Sequence, residues 1–195
     1  MDVRALGQRP RNVAARAALC VLAVAMQTVS IGAQKPTEYD VKAAYLFNFG
    51  KFLRQPDTVD ATPRTSFDIC ILGRNDFAGR LEKLTANERV NGLPERVVKV
   101  PNATAARGCD ILFISSSESD RINQDVADLA NAPVLTVSDM PHFLEHSGMI
   151  EFEMQGNHVR FSVGLDAVNR AGLALSSELL KVSLQVTGGP KRGGS

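Results

Sequence analysis

The fold class is decided by Asp110–Ile114 (DILFI), in which four consecutive apolar residues follow one aspartate. Such continuous apolar runs are typical of strands that are covered on both faces of a parallel sheet. Phe67–Leu72 (FDICIL) and Val134–Val137 (VLTV) have the same character, and Arg96–Val100 (RVVKV) is a fourth, more polar strand. The sequence therefore predicts a buried and mostly parallel sheet.

Helical segments alternate with these strands. Phe77–Asn87 and Ser119–Ala130 carry apolar residues at helical spacing. A further helix is expected over Thr37–Arg54, with Thr37 as its N-cap and Asp40 placed as in a capping box. The β-α-β-β-α-β order predicts an α/β fold, specifically a three-layer sandwich with helices on both faces of the sheet.

The end of the chain has a different pattern. Met149–Met154 (MIEFEM) and His158–Val163 (HVRFSV) alternate in polarity around a Gly-Asn turn, which indicates a β-hairpin. Asp166–Val186 has apolar residues every three or four positions, which predicts one long amphipathic helix. Residues 188–195 are rich in Gly, Lys and Arg and are expected to be a disordered tail.

The N-terminus resembles a secretory signal peptide. A basic leader precedes the apolar run Ala17–Val29, and small residues follow, so that cleavage after Ala33 is expected. The run is too short to cross a bilayer as a helix, although an uncleaved anchor stays an alternative. Cys20 lies inside the apolar run, which disfavours a lipoprotein. Residues 34–187 would then form a single exported domain.

The net charge and the cysteine content limit the classes of function that the chain can have. The net charge of the 195-residue chain is +1, which gives no electrostatic case for binding nucleic acid. Cys70 and Cys109 are the two cysteines that follow the leader. In an oxidising compartment an even pair favours one disulfide, and two buried free thiols are the alternative. Two cysteines cannot form a zinc site alone.

One segment matches a catalytic motif. His142-Phe-Leu-Glu145-His146 has the H-x-x-E-H spacing of inverted zinc proteases. The segment lies between Pro141 and Ser147-Gly148, which leaves barely one helical turn for the ligands. We therefore predict no metal site and no enzymatic activity, with a hydrolase that uses these three residues as the opposing hypothesis.

Polar residues follow several strands and suggest a ligand site. Arg74, Ser115, Ser116 and Asp139 are all expected at the carboxyl edge of the sheet. Ligands of open α/β sheets bind at this edge. Ordinary turn and capping chemistry explains the same residues equally well. Small-ligand binding there, by a carrier or sensor, is the alternative hypothesis of function.

The chain resembles the YfiR family of repressors of membrane-bound diguanylate cyclases. Seven segments carry the resemblance, and together they span about residues 37 to 186: Tyr39–Phe52, Phe67–Gly73, Cys109–Ser115, Val134–Asp139, Gly148–Phe152, Val159–Phe161 and Gly172–Leu180. The resemblance implies a periplasmic α/β protein without a cofactor. Such a protein would bind the periplasmic sensor domain of an inner-membrane cyclase and limit cyclic-di-GMP signalling and biofilm formation.

The resemblance also concerns individual residues. Cys70 and Cys109 match one disulfide of the family's best-known member. A second pair near residues 144–151 has no counterpart, because this chain has Glu145 and Glu151 and no cysteine there. Redox control through that bridge is therefore not expected, and homodimerisation stays open.

A partner-binding face follows from the hairpin pattern. Residues of one parity, Ile150, Phe152, Val159 and Phe161, are expected in the core. Glu151, Glu153 and Arg160 would then face outward and contact the partner. Charge reversal at Glu151 and Arg160 is predicted to weaken partner binding.

Overall fold

The computed structural model describes residues 35–55, 64–74 and 77–188. Its first elements are α1 (Glu38–Phe52), β1 (Leu53–Arg54), β2 (Phe67–Leu72), α2 (Phe77–Thr85), β3 (Arg89–Val90), β4 (Leu93–Val100) and β5 (Ile111–Ile114). The remaining ones are α3 (Ile122–Asp128), β6 (Leu135–Ser138), β7 (Ile150–Gln155), β8 (His158–Gly164), α4 (Leu165–Arg170), β9 (Ala174–Leu175), α5 (Ser177–Val182) and β10 (Gln185–Thr187). Short 3-10 helices cover Thr104–Ala106, Ser116–Arg121 and Phe143–His146.

Some predictions fall outside these ranges. The expected signal peptide, residues 1–33, and residues 189–195 of the expected tail lie outside the described residues, so both stay predictions. Within the described ranges, no helix has both the length and the apolar content that a membrane crossing requires.

Eight strands form the main sheet in the order β10-β8-β7-β6-β5-β2-β4-β3. The pairs from β4 through β2, β5 and β6 to β7 are all parallel, as is the pair of β10 with β8. The hairpin β7–β8 and the edge pair β3–β4 are antiparallel. The prediction of an α/β fold with a mostly parallel sheet and a hairpin near its end is confirmed.

Helices pack against both faces of the central strands. Successive residues of β2 alternate between two hydrophobic clusters: Ile71 belongs to the cluster that contains Phe77 of α2, and Cys70 to the cluster that contains Ile122 of α3. This alternation follows from the period of two along a strand. It explains why the strand sequences are continuously apolar, since neither face of β2 or β5 meets water.

The first helix begins as the sequence predicts. The Asp40 amide donates to Thr37 Oγ1 at 3.3 Å, and the Thr37 amide donates to Asp40 Oδ2 at 2.8 Å, which completes the capping box. Further along α1, Phe49 packs on the hairpin, with its ring centroid 5.0 Å from that of Phe161. The helix thus fixes one face of the hairpin.

The predicted long helix over Asp166–Val186 is wrong. The chain forms α4, β9, α5 and β10 there instead. Gly172 has a φ of +70°, which ends α4 and suits glycine. Leu175 then pairs with Leu53 of β1, and Ser176 caps α5 by accepting from the Leu179 amide at 3.3 Å. The hairpin is therefore not followed by one long helix, and the exact three-layer sandwich is not confirmed.

The predicted helix Ser119–Ala130 is also shorter than expected. It divides into the 3-10 helix Ser116–Arg121 and α3, which ends at Asp128. Ser115 is the N-cap of the first part and accepts from the Ser117 amide. Consecutive Ser, Glu and Asp residues favour such tight turns because their side chains compete for the backbone amides.

Candidate functional site

A disulfide joins Cys70 and Cys109, with 6.1 Å between the two Cα atoms. Cys70 is paired with Leu112 across the β2–β5 ladder, so the bridge runs diagonally to a residue just before β5. Both cysteines are buried in the cluster on the α3 face of the sheet. The bridge therefore fixes the central strand pair on which the carboxyl edge of the sheet depends.

The hairpin β7–β8 has one apolar and one polar face. Ile150, Phe152, Val159 and Phe161 are buried against α1, as the alternation predicts. On the other face Glu153 is opposite Arg160, and both are half-buried. Glu153 also accepts a hydrogen bond from the Ser162 hydroxyl. Arg160 forms no ion pair with another described residue and is the free charge of this face.

Glu151 has a different role from the one expected. Its Oε1 accepts from the His142 amide at 2.9 Å, and its Oε2 accepts from the Leu144 amide at 3.2 Å. The carboxylate thus ties β7 to the segment before it, in the region where the resemblance would place a second disulfide. Sequence reasoning missed this contact because the irregular path of residues 142–149, which no periodicity predicts, brings the two amides to Glu151.

The H-x-x-E-H segment does not form the helix on which this motif would place its metal ligands. His142 has a φ of 65°, outside the helical region, and the segment Phe143–His146 is a single 3-10 turn. His142 Nδ1 lies 2.9 Å from Glu145 Oε1, while His146 Nδ1 lies 2.7 Å from Asn123 Oδ1. No group of three or more His, Cys, Asp or Glu suited to a metal ion occurs among the described residues. The geometry gives no support to a zinc hydrolase.

The carboxyl edge of the sheet brings the four predicted ligand residues together. Arg74, Ser115, Ser116 and Asp139 all line one open cavity of about 910 Å³. The other lining residues are Tyr39, Gly73, Arg80, Lys99, Phe113 and Ser117. Three of these residues are Tyr39, Arg80 and Lys99. The elements that carry them reach this edge of the sheet only through the tertiary fold. The sequence contained no local signal for them.

Hydrogen bonds hold the loops of this cavity in place. The Arg74 amide donates to Ser117 Oγ at 2.9 Å, and the Ser115 hydroxyl donates to the Arg74 carbonyl at 3.1 Å. Gly73 has a φ of +92°, and a Cβ there would lie 2.6 Å from Ser117 Oγ. The glycine is required because the two loops approach so closely. The hydroxyls of Ser115 and Ser117 therefore form hydrogen bonds with the backbone of the loops. Ser116 is exposed at the cavity.

A buried ion pair forms one side of the cavity. Lys42 Nζ donates to Asp139 Oδ2 at 2.8 Å and also pairs with Glu38. Burial acts to lower the pKa of Lys42, but its hydrogen bonds with the two carboxylates outweigh this effect, and the pKa is raised. The lysine thus remains charged and is shared between the Asp139 and Glu38 carboxylates.

The described residues thus form an α/β domain with an open cavity at the carboxyl edge of its sheet and a hairpin that has one polar face. Residues 39–183 match the model of the YfiR/HmsC-like family, and the chain belongs to this family. YfiR/HmsC-like proteins are periplasmic regulators and not catalysts.

Comparison with other known proteins shows the fold alone. A conserved domain protein from Vibrio cholerae O1 biovar eltor str. N16961 is similar, with a TM-score of 0.53 and 7% identity over 77% of this chain. The chain spans 60% of the length of that protein. An ABC domain from Streptococcus pneumoniae, solved with L-Trp, has a TM-score of 0.46 and 11% identity over 61% of this chain and 54% of its own. No curated protein matches the sequence.

Proposed function

We propose that this protein is exported to the periplasm and represses an inner-membrane diguanylate cyclase by binding the sensor domain of that cyclase. The observation that carries the proposal is the family match over residues 39–183, which includes every element from α1 to α5. A soluble domain can regulate a membrane enzyme without chemistry if it binds one conformation of the sensor more tightly than the other.

We place the contact on the polar face of the hairpin β7–β8. Glu153 lies directly opposite Arg160 there, and both side chains are half-buried. The opposite face is rigidly packed on α1, so the polar face is presented on a preformed surface. Preformed surfaces lose little conformational entropy when they bind a partner.

The first experiment is a pull-down of residues 34–195 against detergent-solubilised membranes of the native organism, with mass identification of the bound proteins. Recovery of a diguanylate cyclase with a periplasmic domain supports the proposal. Recovery of an unrelated sensor retains the binding function and rejects the cyclase. Recovery of nothing, at concentrations where micromolar binding is detectable, rejects both.

A cyclase assay then tests repression itself. The recovered cyclase, reconstituted in vesicles with its sensor domain outward, should make less cyclic-di-GMP when the protein is added outside. An Arg160→Ala variant should repress less, whereas an Arg170→Ala variant, changed at an exposed arginine of α4, should repress fully. Unchanged cyclase activity at saturating protein would show that binding does not repress.

A small-ligand sensor is the second candidate. It is favoured by one observation, the gathering of Arg74, Ser115, Ser116 and Asp139 around one cavity. A ligand of the folded state would raise the free energy of unfolding by about 2.7 kcal/mol at 100 times its Kd. Thermal melting against a panel of metabolites tests this candidate without the cyclase.

A further inference from the structure

The order of the strands creates a crevice at the cavity. From β2 the chain crosses to β4 on one side of β2, and then returns to β5 on the other side. The loop after β2 leads to α2 on one face of the sheet, while the loop after β5 leads to α3 on the opposite face. The two loops leave the same end of the sheet toward opposite faces, and hydrogen bonds of Arg74 with Ser115 and Ser117 hold them together where they begin. In open α/β sheets such switch points are where ligands bind.

The charges at this crevice are unequal. Three cationic residues line it, Arg74, Arg80 and Lys99, against the single carboxylate of Asp139. Lys42 is shared between Asp139 and Glu38, and Arg80 pairs with Asp40 at 3.1 Å. Arg74 and Lys99 are exposed and form no ion pair with any other described residue. Within the part of the chain that the structure describes, Arg74 and Lys99 are thus the two cations at the mouth of the crevice without an ion pair.

Lys99 is placed beside the crevice by the sheet register. It is paired with Ile71 on β2, which is in turn paired with Phe113 on β5. All three side chains project from the same face, so the ammonium lies beside the loops that carry Arg74 and Ser116. The planar guanidinium of arginine and the hydroxyl of serine are the donors that bind the oxygens of oxyanions.

We propose that this crevice binds a phosphate monoester. Two unpaired cations match the charge of about −2 that a phosphate monoester carries at neutral pH. The exposed hydroxyl of Ser116 supplies a further donor. Tyr39, 39% exposed at the rim, offers a ring face for the organic part of the ligand. The proposal goes beyond repression of a cyclase, and it holds or fails without it.

The test uses phenyl phosphate as the probe and the exported chain, residues 34–195, as the protein. Calorimetric titration at low salt should give a Kd of about 1 mM or below. Phenyl sulfate, which carries one charge instead of two, should bind about fivefold or more weakly, and phenol should not bind measurably. Equal affinity for phosphate and sulfate, or no heat with any probe at about 10 mM, would overturn the proposal.

Matched variants locate the site. Arg74→Ala and Lys99→Ala should each weaken phenyl phosphate about tenfold, because each removes a charge and a donor from the crevice. Arg170→Ala and Lys181→Ala, changed at exposed cations of α4 and α5, should leave the affinity unchanged. All four residues are exposed, so the variants should fold. If the two crevice variants and the two control variants lost affinity for phenyl phosphate equally, the attraction would be nonspecific and the crevice would be rejected as the site.

Discussion

Lys42 Nζ and Asp139 Oδ2 are 2.8 Å apart and join α1 to the end of β6 across 97 positions of sequence. Only 5% of the Lys42 side chain and 13% of the Asp139 side chain are exposed. The second oxygen of Asp139 is buried without a hydrogen-bond partner among the described residues. Lys42 is therefore the cation that pairs with the buried Asp139 carboxylate among the described residues.

Replacement of this lysine should be costly. Lys42→Met leaves the Asp139 carboxylate in a buried position without its counter-charge, and we expect a loss of about 3–5 kcal/mol in the free energy of unfolding. Urea denaturation at pH 7 measures the loss. The double variant Lys42→Met/Asp139→Asn should recover part of the stability, because no uncompensated charge is left. A double variant no more stable than the single one would show that the pair is not the cause.

The disulfide should contribute strongly to stability. Cys70 and Cys109 are separated by 39 positions, and closing a loop of this size lowers the entropy of the unfolded chain by an amount worth about 4 kcal/mol. Thermal melting with and without a reductant measures the effect. The Cys70→Ala/Cys109→Ala variant should melt like the reduced protein and should not respond to reductant. A native protein that melts identically in both conditions would contradict the bridge.

Glu95 on β4 should make stability depend on pH. Both of its carboxylate oxygens are buried, and the nearby Thr85 hydroxyl donates to the Leu81 carbonyl instead. Burial raises the pKa of Glu95 from 4.5 to about 7, with a further increase from Glu88 that Lys51 opposes. The folded protein therefore holds a proton that the unfolded chain releases between these pH values.

The sign of this dependence is opposite to that of a salt-bridged carboxylate. Because the folded protein binds the extra proton, the contribution of Glu95 to stability falls as the pH rises from about 4.5 to about 7. We expect a loss of about 1–2 kcal/mol over this range, smaller than the full shift implies because the side chain is partly exposed. Chemical denaturation of the native protein and of Glu95→Gln at pH 5 and pH 7.5 measures it. Parallel pH profiles of the two proteins would disprove it.

The sequence predicted those parts of the fold that local chemistry determines. Thr37 caps α1 because its hydroxyl reaches the Asp40 amide within one turn. The prediction of one long helix was wrong because a different arrangement buries the same apolar residues. In that arrangement Leu175 pairs with Leu53, more than a hundred residues away. The signals for the break were Gly172 and Ser176, a helix end followed by a helix cap, but the periodicity across them favoured a continuous helix.

The candidate sites show the same division. Arg74, Ser115 and Asp139 could be placed at one edge from sequence, since each follows a parallel strand. Lys99 reaches that edge only because β4 lies beside β2 in a register that no local pattern determines. Glu151 was expected to face a partner, but its carboxylate instead accepts hydrogen bonds from two backbone amides of its own chain. Alternation along a strand predicts the face of a residue and not its hydrogen bonds.

The hydrogen bonds of Glu151 determine which hairpin residue can be changed to test the partner-binding face. Removal of the Glu151 carboxylate would leave the amides of His142 and Leu144 without their acceptor, so a loss of partner binding could reflect a disturbed loop. Arg160 has no such structural contact within the described residues, and it lies opposite Glu153 on the same face. Arg160 is therefore the residue whose change tests the surface alone.

We expect Arg160→Ala to weaken binding of the cyclase sensor domain about tenfold, with a change in unfolding free energy within about 0.5 kcal/mol. Arg160→Glu should weaken it further, because it places like charges opposite each other and reverses the charge presented to the partner. Arg170→Ala is the matched control on α4. Surface plasmon resonance at two salt concentrations gives both rates, and the loss should lie mainly in the association rate at low salt. An affinity that both Arg160 variants leave unchanged would exclude the polar face of the hairpin as the contact and would direct the search to the other exposed surfaces of the domain.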